Sequence, residues 1–534
     1  EISACLVGSE MCIRDRAMNE ALRYDGKSPR YTQNELDAFK SNKYPFLYPN
    51  VDWWKEVYRD RGKSDIAALT FRGGSSKLRY FTLLNLQNGR GFINNANANE
   101  GYSTQEKYSK GNVRTNLDIT LTSTTTMQVN LMGALNEYSR PGYGTDDLVG
   151  VLYTTPAAAF PIRTESGLWG GNTTWTGEKN PVALVQGRGY SKGHTLGLWT
   201  DMTIRQDLSS ITKGLGASIR MGYDKVASYW EDHSKEYRYG STSVAGWTDG
   251  IPSKFTDYVA GEDTEMAGGS RLDWQYRSFN VIANVDWNRQ FGDHKIYTSL
   301  LYSYKYDNNI NINSTLYHCD WSWYTHYGLK NRYFLDFALV NSASNRLEPG
   351  HQWNVSPTVG LAWNLSNEKF LDNASWLDFL KLRASFGIVK TDNIPYNGYW
   401  NATMTGGGSY PLQSNFESSS GWEEGQLPSL NGTVEKAYKY NVGLDATLFG
   451  GLTLMVDGFY ERRKDIWVST SGKYSSVLGA SNSYVNAGIV DSKGVEVAAD
   501  YTKYFGDFRL NVGGNFSFCL LYTSPSPRDR QKSR

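Results

Sequence analysis

Residues able to do chemistry are few in this chain, and they are scattered. His318, Cys319 and Asp320 stand in a row, with His326 close behind. A zinc site needs about four ligands at regular spacing. Here the ligands are mixed and no second cluster follows, so no metal is expected. Gly73-Gly74-Ser75 lacks the Lys-Ser/Thr that completes a phosphate loop, and neither G-x-S-x-G nor H-E-x-x-H occurs. The carboxylate pairs Asp146-Asp147 and Glu423-Glu424 lie in polar stretches and read as solvated faces. The expectation is therefore no catalytic residue and no cofactor. What the chain does offer is aromatic surface. Trp169, Trp175, Trp321, Trp323 and Tyr324 fall in long polar segments with amides nearby. Flat rings beside amides suit sugars, which present apolar C–H patches and many hydroxyls. These five are the candidate substrate contacts, although packing between loops is the commoner use of any single one.

The elements that must carry these residues announce themselves in composition first. Of 534 residues, 55 are basic and 54 acidic, a net charge of +1. Nucleic-acid binding needs a basic surplus to neutralise phosphates, so that class is set aside. No stretch approaches the roughly 18 consecutive apolar residues of a membrane helix, and the mean hydropathy is −0.53. A membrane β-barrel also averages out as polar, because lipid-facing and lumen-facing residues alternate along each strand. The 37 Tyr, 17 Trp and 21 Phe, with 53 Gly and only 15 Pro, suit such a barrel. One texture runs from about Tyr31 to about Phe518, without a linker or charge block to divide it.

Period-2 alternation dominates that stretch. Leu196, Leu198, Thr200, Met202 and Ile204 lead to a second series at Leu215, Ala217, Ile219 and Met221. Phe279 to Trp287 turns at Phe291-Gly292-Asp293 and returns through Ile296 to Tyr306. Tyr438 to Leu448 turns at Phe449-Gly450-Gly451 into Leu452 to Tyr460, and Val495 to Tyr501 turns at Phe505-Gly506-Asp507 into Phe508. Strands of about ten residues tilted at about 45° span a bilayer, and aromatics near their ends fit interfacial girdles. Asp118, Thr120 and Thr122 alternate with Leu117, Ile119 and Leu121, as a wet lumen requires. Long polar connections are expected at about Ser139–Lys192, Ser228–Arg271, Asn308–His351 and Pro395–Glu435. Short turns alternating with long loops is the outer-membrane pattern, with roughly fourteen to eighteen strands expected on the same reasoning.

The two ends break the texture. EISACLVGSEMCIRDR opens the chain, and after Phe518 a clean strand gives way to CLLYTSPSPRDRQKSR. Neither resembles a signal peptide or a barrel strand. Both resemble translated sequencing-adapter read-through, so 1–16 and 519–534 are expected to be foreign and 17–518 to be the barrel with its long extracellular loops. Three of the four cysteines (Cys5, Cys12 and Cys519) lie in those ends, leaving Cys319 alone and no basis for a disulfide.

Several segments, in order, carry a family likeness. They are YTQNELDAFKSNKYPFLYPNVDWWKEVYRD from Tyr31, FRGGSSKLRYFTLLNLQNGRGF from Phe71 and GNVRTNLDITLT from Gly111. LKLRASFGIVKTDNIPYNGY from Leu380, VEKAYKYNVGLDATLFGGLTLMVDGFYERRKDIW from Val434 and VNAGIVDSKGVEV from Val485 follow. Together they resemble the SusC/RagA-like branch of TonB-dependent outer-membrane transporters, with Tyr48-Pro49-Asn50-Val51-Asp52-Trp53 the most specific part. Lys390-Thr391 departs from the Gly-Asn pair more usual there. The resemblance implies an all-β fold, a transmembrane antiparallel β-barrel that is a fragment of a 22-stranded one, without its plug domain. It implies active uptake of oligomeric nutrients, glycans or else peptides, with a SusD-like surface lipoprotein above and the TonB-ExbB-ExbD system acting through the N-terminal region. A passive porin and a soluble all-β carbohydrate-binding protein are the competing classes. A continuous apolar outer band about 25 Å tall separates the membrane classes from the soluble one.

Overall fold

In the computed structural model, residues 11–98, 101–309, 315–396, 398–411, 418–471 and 483–523, with isolated positions between 475 and 480, are described. Sixteen strands form one antiparallel sheet whose spatial order follows the sequence. The strands are β1 Lys63–Gly74, β2 Leu78–Arg90, β3 Lys107–Thr120, β4 Thr125–Pro141, β5 Gly189–Asp207 and β6 Leu215–Ser234. They continue as β7 Ala267–Phe291, β8 His294–Asn309, β9 Thr315–Leu329, β10 Tyr333–Ser344 and β11 Trp353–Asn364. The rest are β12 Leu377–Thr391, β13 Glu435–Leu448, β14 Leu452–Ser469, β15 Tyr484–Phe505 and β16 Phe508–Thr523. This is the wall of a transmembrane antiparallel β-barrel, with β1 and β16 at the ends of the sheet order. Most strands exceed ten residues, so they reach beyond a bilayer's hydrocarbon layer into the loop region.

Turn chemistry explains the hairpins. Phe291 pairs with His294 across Gly292-Asp293, and Phe505 with Phe508 across Gly506-Asp507. Gly292 and Gly506 sit at φ +55° and +63°. A positive φ at the first of two turn residues gives the primed turns whose twist suits a hairpin. Short connections follow the odd-numbered strands, except β11, where 365–376 carries the two single turns Leu365–Asn367 and Lys369–Leu371. The longest connections, 91–106, 142–188, 235–266 and 392–434, follow even-numbered ones and gather at the other end.

One expected long loop is not a loop. The stretch Asn308–His351 is mostly the β9–β10 hairpin, closed at Lys330-Asn331 with φ of 56° and 53°. No glycine marks this turn, and asparagine is among the few residues that enter the left-handed region readily. The other long connections hold structure of their own. The 235–266 segment carries a hairpin, Tyr239–Thr248 with Ile251–Ala260, and 392–434 carries Met404–Pro411 with Ser418–Glu424. Helices Thr145–Thr154 and Pro181–Gln186 lie in 142–188. At the far end, β16 pairs with β15 past Phe518, as far as Thr523 opposite Val490.

Candidate functional site

Alternation assigns every strand residue to one of two solvents. Across β4 to β9 the register lines up Met127, Ile204, Ile219, Ala283, Tyr302 and Trp321 on one face. The opposite face carries the row Asn130, Asp201, Gly222, Asn280, Lys305 and His318. The apolar row is the lipid face, and Leu196, Val285 and Leu300 stay about half exposed on it. The polar row is the lumen wall.

The lumen wall is knit by cross-strand ion pairs. Arg205 of β5 donates through both terminal nitrogens to Asp286 of β7, at 2.9 Å each, and Asn284 donates to the same carboxylate at 3.1 Å. Arg383 of β12 forks between Asp457 (two bonds of 2.6 Å) and Asp445 (3.0–3.2 Å). Such bidentate, charge-assisted bonds fix geometry as well as adding strength. Lys305 and Tyr276 converge on Asp307 at 2.7 and 2.9 Å. Asp336 Oδ1 lies 2.8 Å from both Tyr324 Oη and His326 Nδ1. The wall is thus hydrophilic, able to hold water and a polar cargo.

The buried apolar core lies in the loops rather than in the sheet. Trp53, Val57, Ile93, Leu148, Leu152, Phe160 and the helix Pro181–Gln186 form the largest cluster. Asn180 locks it, donating to Ile162 O and Gly170 O at 3.0 Å each and capping the helix at Ala183 N. The Tyr48–Trp53 stretch is the knot between the N-terminal segment and these loops. Tyr48 packs on Phe39 and Trp247, the Val51 amide donates to Ala157 O, Asp52 caps the helix Trp53–Val57, and Trp53 Nε1 donates to Pro156 O at 3.1 Å. Burial, with Glu35 nearby, pushes the Tyr48 hydroxyl up to about 12. Burial, with Glu106 nearby, does the same at Tyr58.

No family model matches the sequence. TonB-dependent receptor P26 of Formosa agariphila is 23% identical over 505 residues, 88% of this chain and 47% of that protein. TonB-dependent receptor SusC of Bacteroides thetaiotaomicron is 26% identical over 212 residues, 38% of this chain and 21% of that protein. The RagAB peptide importer in its open-open state matches in fold with a TM-score of 0.68, at 15% identity over 98% of this chain and 60% of that one. In sequence the chain is similar to SusC/RagA-like, TonB-dependent receptors. It is an outer-membrane β-barrel, and it spans about half the length of the full-chain curated relatives it matches.

Within this SusC/RagA-like barrel the five candidate aromatics part company. Trp169 is 7% exposed, with the Arg163 guanidinium 3.6 Å from its ring centre and Tyr237 on its flank. Trp175 is half-buried against the same cluster. Trp321 and Trp323 were expected in a loop but stand on β9 and face lipid, packed on Tyr302 and Phe337. Tyr324, between them and His326, faces the lumen. The same alternation turns Cys319 outward beside Tyr304 while His318 and Asp320 point inward, so this row of possible ligands is split between two faces. Ser75 closes a turn by accepting from the Lys77 and Leu78 amides. Asp147 is exposed in the first turn of a helix, and Glu423-Glu424 lie on a loop hairpin; the Asp146 side chain lies outside the described residues. Arg205, Asp286, Arg383, Asp445 and Asp457 escaped the sequence reading. Their only signal is occupancy of the alternate, polar positions.

Proposed function

We propose that this chain forms the barrel of an active importer of oligomeric nutrients, glycans in the first instance. The carrying observation is the division of one sheet into a lipid face and an ion-paired lumen face, topped at one end by structured loops. In this reading a SusD-like surface lipoprotein lies over the loops. The TonB-ExbB-ExbD system supplies energy through the receptor's N-terminal region. The fold shared with the RagAB peptide importer supports peptides as the second cargo class. It is a transporter and not an enzyme. The barrel proper is taken as 17–518, which resequencing across both junctions tests.

The substrate-contact proposal narrows to Tyr324 among the original five. Trp422 joins it, on the 392–434 connection and 74% exposed. The test is uptake of labelled oligosaccharide and peptide pools by cells with and without the gene, each with a protonophore. Energy-dependent uptake that disappears with the gene supports the proposal, and the pool affected names the cargo class. Uptake that survives the protonophore makes this a passive pore. Uptake of both pools that survives deletion ends the reading.

A further inference from the structure

Among the described residues, two tryptophans of the lumen wall have no hydrogen-bond, ring or cation partner. Parity puts Trp199 of β5 on the face of Asp201, and register sets it opposite Asp224 of β6. Trp274 of β7 pairs with Ser228, just past the bulge at Leu272/Trp274, and so shares the face of Gly222 and Asn280. The Trp199 indole leans back along its own strand over Gly197, where a Cβ would collide with its Cη2. At that level the flanking positions hold Ala134 and Val226, both short and apolar. Trp199 is half-buried, and Trp274 is 41% exposed. Other indoles of the sheet are engaged. On the lipid face Trp287 donates to Lys213 O at 3.2 Å and Trp323 to Thr298 Oγ1 at 3.1 Å. On the lumen face Trp230 is held by the Arg140 guanidinium, 4.4 Å from its ring centre, and by Tyr138.

A carboxylate stands beside them. Asp224 makes no hydrogen bond among the described residues, although Arg220 and Lys305 are nearby. Those two cations are taken up by Asp201 at 3.5 Å and Asp307 at 2.7 Å. The two indoles stand two strands apart, about 10 Å across the sheet, with Val226 and Ser228 of β6 between them. A single small ring cannot bridge that distance, whereas an oligomer can. Strands β5, β6 and β7 are paired on both sides, so their backbone groups are occupied by the ladder. An extended peptide gains most from an open sheet edge, where it adds main-chain bonds. Here only side chains are on offer: flat rings, indole N–H donors and a carboxylate. A sugar ring matches that set, with its C–H patch on the indole and its hydroxyls donating to the carboxylate.

We infer that Trp199 and Trp274 form a stacking track for an oligosaccharide on the lumen wall, with Asp224 accepting from its hydroxyls. The track rests on the glycan reading above and adds two wall contacts to Tyr324 and Trp422. The test is isothermal titration calorimetry of the receptor extracted from its outer membrane in mild detergent. Gluco-, xylo- and manno-oligosaccharides are titrated in parallel with a tryptic peptide pool. W199A should weaken binding of the oligosaccharide that the wild type takes by about tenfold, as expected for the loss of a stacked ring. W274A should weaken it less, and W199F should keep part of the affinity. W323A, on the lipid face, should leave it unchanged. Unheated gel migration reports that each variant is folded. An oligosaccharide bound by W199A/W274A as tightly as by wild type overturns the track and leaves the cargo reading standing. An equal loss in W323A overturns the track in the same way. Wild-type receptor that takes none of the oligosaccharides, with or without the peptides, overturns the glycan reading and the track with it.

Discussion

Neighbouring residues of the β8–β9 hairpin live in different solvents. On the outward face Leu300, Tyr302, Trp321 and Trp323 meet lipid, and their large side chains touch ring to ring or stay exposed. On the inward face Ser299, Ser303, Asp320 and Tyr324 reach for partners across the strands. A soluble sandwich would bury one face and wet the other. Here neither is buried in protein, and almost all fully buried apolar side chains sit in the loops. Apolar residues are therefore held outward by the membrane, whereas inward polar residues are held by one another. The two faces should fail in different ways.

The largest contrast should come from one strand. Leu300→Arg puts a charge on the lipid face near mid-membrane and should cost about 2–4 kcal/mol. Ser303→Arg puts the same charge on the lumen wall beside Asp320 and should cost far less. Denaturant unfolding of the receptor from lipid vesicles measures both, and equal costs would overturn the assignment of faces. Next comes Arg383→Ala, which strands Asp445 and Asp457 on the lumen wall. With water able to reach them, the loss should be about 1–3 kcal/mol. Arg383→Lys should recover only part, because an ammonium cannot fork between two carboxylates. Full recovery by lysine would reduce the site to simple charge balance.

Much of this architecture could be read from single residues, because a strand's period is local. The hairpins with Phe-Gly turns stood out, since glycine supplies the left-handed turn and alternation flanks it on both sides. The β9–β10 hairpin did not, because Lys330-Asn331 makes its turn without glycine. That one missed turn placed Trp321 and Trp323 in a loop, although Cys319, Trp321 and Trp323 share a parity that would have turned them outward. The lumen ion pairs were out of reach for another reason. Arg383 meets partners 62 and 74 residues away, and only the register of three strands brings them together. The Tyr48–Trp53 motif was visible as a likeness, but its role in tying the N-terminal segment to two loops is a property of packing.

The loops, in contrast to both sheet faces, have a conventional core and should show it in alkali. Tyr48 and Tyr58 are raised from 10.0 to about 12, chiefly by burial. A raised folded value means that the folded state favours the neutral phenol. Its contribution is complete below the unfolded value of 10.0 and is lost as pH climbs through about 12. The loop cluster should therefore loosen in that window while the strands persist. Ultraviolet phenolate absorbance followed alongside β-sheet circular dichroism would show it. If Tyr48→Phe and Tyr58→Phe leave the alkaline step unchanged, the transition belongs to other groups.

The smallest expected effect lies on the lipid face near the short-turn end. Gly73 leaves a gap in β1, and Tyr80 on β2 lies across it, its hydroxyl oxygen 3.0 Å and its nearest ring carbons 3.1–3.2 Å from where a Cβ would stand. A cross-strand contact of this kind is worth about 0.2–1 kcal/mol. Tyr80→Ala should cost that much and Tyr80→Phe less, because phenylalanine keeps the ring carbons over the glycine and loses only the hydroxyl that lies nearest it. Gly73→Val should cost more than Tyr80→Ala, since the new side chain must displace the ring before it can pack. If Gly73→Val proves neutral, the ring is resting on the glycine by default. The lipid face would then tolerate rearrangement that the ion-paired lumen face does not.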